Sequence, residues 1–141
     1  IVGVAHAGWR GLANGVLSST VRALGSGSLL AWMGPAIGPC HYTVGEDVRA
    51  SFSSGTGFAA RPENAEGPES ADSADSAENK FSMDLYAIAN EQLQNLGVEV
   101  YGGGLCTYCD SSRFFFLQKG WSDRAHGRVY LDGVSAQANS S

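Results

Sequence analysis

Ile1-Val2-Gly3-Val4-Ala5-His6-Ala7-Gly8-Trp9-Arg10-Gly11 opens the chain and organises it. An apolar run of strand length leads into a turn built from two glycines, a tryptophan and an arginine, and a periodic segment follows at once. Residues 1–7 read as a buried strand, because a short apolar run containing Val and Ile suits a sheet covered on both faces. Such a strand needs a neighbour, so the opening predicts a fragment of a larger domain. From Leu12 to Leu24 the apolar positions Leu12, Val16, Leu17, Val21 and Leu24 share one helical face. Gly25 stands where a glycine ends a helix. Strand, tight turn and helix together place a reactive side chain and backbone donors at a sheet edge. His6 occupies that point; a core histidine beside a packed Trp9 is the plainer alternative.

Beyond this unit, Leu29–Met33 reads as a second buried strand. Gly34-Pro35-Ala36-Ile37-Gly38-Pro39 holds two prolines and two glycines in six residues, which makes a stiff, shaped loop. Tyr42–Val44 suits a short strand and Glu46–Phe52 a short helix. Residues 53–79 differ in kind. They are rich in Ser, Ala, Gly and acids, and Glu63, Glu66, Glu69, Asp72, Asp75 and Glu78 recur every third residue. Too little apolar surface is present to offset the entropy of ordering, so the segment is expected to be a disordered insertion. A calcium loop would need glycine-broken ligand spacing that the run lacks. Past it, Asp84 is placed to cap a helix running to Leu96, with Gly97 as its stop. Val98–Tyr101, Arg113–Leu117 and Arg128–Leu131 read as strands, and residues from Asp132 as a tail.

Composition bounds the function. The six acids of the insertion outnumber the whole net charge of -5, so the rest of the chain is close to neutral and has no basic stripe. That argues against a nucleic-acid partner. No apolar run approaches membrane-span length. Three cysteines without disulfide-rich spacing suit a reducing, cytoplasmic compartment.

Several side chains could carry chemistry. His6 at the strand end could serve as a metal ligand or general base. Arg10, near the helix start, suits an oxyanion, or else a surface position capping the turn. Trp9 could stack on a base, though packing is the simpler role. Cys40 could be a nucleophile activated by His6 or His41, or simply a buried thiol; His41 and His126 are expected to be exposed. Cys106-Thr107-Tyr108-Cys109 is a C-x-x-C, the pattern of a redox pair or of half a zinc site, with no second pair to complete it.

His6-Ala7-Gly8-Trp9-Arg10-Gly11 followed by Gly34-Pro35-Ala36-Ile37-Gly38-Pro39-Cys40 closely resembles the laccase-domain family, whose members include purine nucleoside phosphorylases and peptidoglycan editing factors. Gly45-Glu46-Asp47-Val48, Asp84-Leu85, Gly97-Val98, Cys106-Thr107-Tyr108, Phe114-Phe115 and Gly127-Arg128 extend the match in order. The resemblance implies an α+β fold, with mixed sheets packed face to face and helices outside in four α/β/β/α layers. Residues 1–52 and 80–131 would be two parts of one domain whose N-terminal half is absent, with 53–79 inserted and 132–141 as tail.

The resemblance also implies zinc-dependent purine nucleoside chemistry: phosphorolysis of adenosine, inosine or methylthioadenosine, and deamination of adenosine. The partners would be a nucleoside and phosphate. By the same resemblance His6 is one of three ligands of a catalytic Zn2+ whose other two lie upstream, so His6 alone would not hold the metal usefully. Cys106 and Thr107 would belong to the pocket wall and Arg10 to substrate binding, while Cys109 receives no role. Relatives that edit peptidoglycan precursors offer an alternative activity. An inactive, degenerate copy is another. Phe116-Leu117-Gln118-Lys119 departs from the family's Ser, Tyr and two Arg at that place, which puts part of the substrate site in doubt.

Overall fold

A computed structural model describes residues 1–61 and 79–114. The elements run in the order α1 (Trp9–Ala13), α2 (Val16–Leu24), β1 (Leu30–Met33), β2 (Thr43–Val44), α3 (Glu46–Ala50), β3 (Phe58–Ala60), β4 (Phe81–Met83), α4 (Leu85–Asn95) and β5 (Glu99–Gly102). They make an α+β fold with both kinds of sheet. β1 pairs in parallel with β5, Leu30 opposite Glu99 and Met33 opposite Gly102. β4 lies between β2 and β3, antiparallel to each.

The core explains why these stretches order. Leu12, Tyr42, Val44, Val48, Phe52, Met83, Leu85 and Ile88 form one buried cluster drawn from α1, the β2 region, α3, β4 and α4. Each alone is a short element that would not persist in water, and shared burial of their apolar faces holds them. The α4 helix shows how local sequence fixes its own ends. The Asp84 carboxylate accepts the N–H groups of Tyr86 at 3.0 Å and Ala87 at 3.1 Å, which satisfies two donors that the first turn leaves over. At the other end Gly97 has φ +73°, where side chains are strained. Its N–H reaches the Gln94 carbonyl and that of Val98 reaches Leu93, the paired bonds of a Schellman stop. Leu93 and Val98 are both buried beneath that turn.

Several expectations are corrected. Residues 1–7 form no strand, and Ile1, Val2 and Val4 are 101%, 82% and 79% exposed. An apolar run becomes a strand only when another backbone takes up its N–H and C=O groups, and no described strand lies beside it. The helix expected over Leu12–Leu24 is two helices. Asn14 and Gly15 break it, with Gly15 at φ +78°. The second strand is not buried on both faces: Leu30 and Trp32 face solvent at 64% and 66% exposure. The expected disordered insertion starts too early, since Phe58–Ala60 pairs with β4 and the Arg61 N–H binds the Lys80 carbonyl at 2.9 Å. Arg113 lies in a turn rather than a strand. The remaining insertion, residues 62–78, and the strands expected beyond Phe114 lie outside the described residues, as do Phe116–Lys119 and His126.

Candidate functional site

Two places gather chemistry, and the Gly-Pro loop joins them. One is a cavity of ≈ 1030 Å³ bounded by the extended segment Val4–Gly8, by α2, by β1 and by α4. Its lining is mostly apolar, with His6, Thr20, Tyr42 and Tyr86 as the polar side chains. His6 is itself exposed. Gly34–Ile37 forms part of the wall.

That loop is held by one phenol. Tyr86, on the first turn of α4, accepts the Ala36 N–H at 2.8 Å, and its hydroxyl lies 2.8 Å from both the Gly34 and Leu105 carbonyls. A hydroxyl has one proton, so it serves those two carbonyls in turn. Ala36 and Cys106 also form an isolated parallel bridge, with the Thr107 N–H on the Ala36 carbonyl at 2.9 Å. The loop is therefore stitched to the segment following β5 by backbone and phenol together.

The second place is where that stitching ends. The Gly38 carbonyl accepts the His41 N–H at 3.1 Å, closing a turn that swings Cys40 and His41 to the same side. Cys40 Sγ lies 3.7 Å from Cys106 Sγ and 3.4 Å from Cys109 Sγ. His41 Nδ1 lies 3.2 Å from Cys40 Sγ and 3.3 Å from Cys109 Sγ. The His41 ring stacks on Tyr108, centroids 4.2 Å apart, which fixes its direction. All four donor atoms lie within 4.8 Å of one another, and the group could hold a metal ion. Burial works against the Cys106 thiolate, yet the N–H groups of Cys109, Gly38 and Tyr108 and the Cys109 thiol bring its pKa down to about 6. Cys109 moves the other way, pushed up to about 12 by its hydrogen bonds to Cys40 and Cys106. Beside the cluster, Ser112 and Arg113 hold Asp110 below its ordinary carboxylate value.

The residues expected to act together are thus divided. His6 lines the cavity; Arg10, Cys106 and Thr107 do not. Arg10 is exposed on α1 with its guanidinium 4.8 Å from the Trp9 ring centroid, and Trp9 packs against the core. Cys40 is exposed rather than buried, and His41 is half-buried rather than exposed. Cys109, without a role in the sequence, is a full member of the cluster, and the partner pair that the C-x-x-C lacked is the adjacent Cys40-His41. Tyr86 was missed altogether; a tyrosine on the inner side of a capped helix was the available signal, because a packed phenol needs a hydrogen-bond partner.

The model of one family, described as multi-copper polyphenol oxidoreductase laccase, matches residues 1–131. A purine nucleoside phosphorylase of Xylella fastidiosa is 43% identical over 132 residues, which make up 90% of this chain and 46% of that protein. Purine nucleoside phosphorylase YfiH of Escherichia coli is 37% identical over 131 residues, 91% of this chain and 48% of that one. The chain spans about half the length of the curated relatives it matches. The crystal structure of Neisseria meningitidis protein NMB0706 superposes with a TM-score of 0.66 at 35% identity, covering 82% of this chain and 45% of that one.

Proposed function

The chain belongs to the multi-copper polyphenol oxidoreductase laccase family, and from that premise we propose that it takes part in purine nucleoside phosphorolysis, with hydrolytic deamination of adenosine as a second activity. The substrates would be adenosine, inosine or methylthioadenosine, together with phosphate, in the cytoplasm. The observation that carries the reading is His6 on the wall of a largely apolar cavity of ≈ 1030 Å³. Small-molecule sites have roughly that scale, about 300–1,000 Å³, and the same character of apolar walls with few polar groups. Relatives along nearly the whole chain are named purine nucleoside phosphorylases.

In phosphorolysis a phosphate oxygen bonds to the ribose C1′ as the C1′–N bond breaks, and the purine leaves with the electron pair. The resemblance gives Arg10 a part in holding phosphate; exposed near the start of α1 and outside the cavity lining, it would have to reach the phosphate from beyond that wall. His6 would deliver the proton that the departing purine needs. In deamination a water adds to the purine ring carbon and ammonia leaves, and His6 would take the water's proton. By the resemblance His6 would be one of three zinc ligands whose other two lie upstream, and the metal would activate the attacking water there; among the described residues the donor cluster of Cys40, His41, Cys106 and Cys109 does not include His6.

The test is chromatographic. In a form that carries the upstream ligand segments, adenosine and phosphate should yield adenine, and adenosine alone inosine, and His6→Ala should lower both rates by about 100-fold or more while the melting curve stays in place; the 141-residue chain by itself is expected to be inactive. Unchanged rates in His6→Ala would remove the proposed proton carrier. No turnover of any of the three nucleosides, or release of an amino acid from a muramyl precursor, would overturn the reading.

A further inference from the structure

We propose that Cys40, His41, Cys106 and Cys109 form a closed, four-ligand zinc site that ties the Gly-Pro loop to the turn after β5. The donor set itself selects the metal: three thiolates and one imidazole are a zinc combination, and carboxylate-seeking cations would find no oxygen there. The distances fit as well. Zinc bonds sulfur at about 2.3 Å and nitrogen at about 2.0–2.1 Å, so tetrahedral edges come to about 3.8 Å between sulfurs and about 3.5 Å between nitrogen and sulfur. Four of the six edges are 3.7 and 3.4 Å between sulfurs and 3.2 and 3.3 Å between nitrogen and sulfur, and all six lie within 4.8 Å.

The surroundings are those of a metal–thiolate turn. Cys106 Sγ accepts the Gly38 N–H at 3.2 Å and the Cys109 N–H at 3.5 Å. Backbone donors of this kind neutralise part of a bound thiolate's charge and fix the sulfur's direction. Tyr108 fixes the direction of the imidazole by stacking on it. Four protein ligands leave no position for water or substrate, so the site is structural and cannot activate a nucleophile. Its effect on the cavity is mechanical. The loop that supplies Cys40 also supplies the Gly34–Ile37 wall, and neither the loop nor the Leu105–Asp110 segment has regular structure to hold it.

The 141-residue chain, purified under reducing conditions from zinc-supplied cells, should carry close to one zinc per chain. Stripped anaerobically and refilled with cobalt, it should show strong thiolate charge-transfer absorption and intense visible bands of tetrahedral cobalt, which zinc abolishes and phosphate leaves unchanged. Cys109→Ser and His41→Ala should weaken zinc binding by at least about 100-fold. Those variants could lose the fold with the metal, but the cobalt spectrum of the unaltered chain decides the geometry without them. His6→Ala should keep full zinc, which separates this inference from the nucleoside reading: that substitution acts on turnover alone. Zinc-free protein, a pale six-coordinate cobalt spectrum, a Cys40–Cys109 disulfide in place of three free thiols, or zinc lost with His6 would each overturn the proposal.

Discussion

Replacing Tyr86 by Phe removes one oxygen and nothing else, and that oxygen is the point where three backbone groups of two loops meet. The Ala36 N–H loses its acceptor at 2.8 Å, and the Gly34 and Leu105 carbonyls lose their shared donor. An intramolecular hydrogen bond contributes about 0.5–1.5 kcal/mol net, and a buried group left without a partner costs about 1–3 kcal/mol. The Ala36 N–H keeps a longer contact to the Leu105 carbonyl at 3.3 Å, and Tyr86 is only half-buried, so water can replace part of what is lost. The expected destabilisation is therefore about 1–3 kcal/mol, toward the lower end. Urea denaturation followed by circular dichroism reads it as a lower midpoint at unchanged slope. Amide exchange should also quicken at Ala36 and Thr107 relative to the α4 core. A midpoint shift worth less than about 0.3 kcal/mol, with exchange unaltered, would show that the phenol decorates the loop without holding it.

Two further substitutions test how local sequence sets the fold. Asp84→Ala should cost about 1 kcal/mol by leaving the Tyr86 and Ala87 N–H groups uncapped, while Asp84→Asn keeps most of that stability; equal melts for the two variants would refute the cap. Gly38→Val should destabilise by about 1–3 kcal/mol, by crowding rather than by backbone strain. A Cβ there would stand 3.1 Å from Cys106 Cβ, 3.3 Å from its Sγ and 3.4 Å from Cys40 Sγ. A neutral denaturant melt for Gly38→Val would mean that the two cysteines can move apart.

What the sequence disclosed and what it hid divide along one physical line. Features set by neighbours in the chain were legible: Asp84 as a cap, Gly25 and Gly97 as stops, and the apolar runs that became β1 and β5. Features that depend on a distant partner were not. The apolar run at residues 1–7 signals a wish for burial but carries no sign of which backbone pairs with it, and in the described chain none does. The break at Asn14-Gly15 went unread because an apolar spacing continues across it, while a helix axis has to turn there for α1 and α2 each to pack.

The cysteine cluster is the sharpest case of the same limit. A C-x-x-C reports two ligands that share a turn, and a metal site needs four. The other two are adjacent residues on the far side of the insertion, and spacing rules that look for a second C-x-x-C or a spaced histidine pair pass over Cys40-His41. The turn closed by the Gly38 carbonyl brings those neighbours to one side, and the Ala36–Cys106 bridge, with the Tyr86 phenol, brings that turn to the Cys106–Cys109 segment. The resemblance drew attention to His6 and away from Cys109, because it carried a role for the first and none for the second. Geometry adds a second donor set that the resemblance did not point to, and leaves His6 on the cavity wall. The two centres meet in one loop: residues Gly34–Ile37 line the cavity, and Gly38–His41 face the thiols. A metal that fixes the second half of that loop would therefore set the shape of the first, so chelation should loosen the wall beside His6 without removing any group that touches substrate.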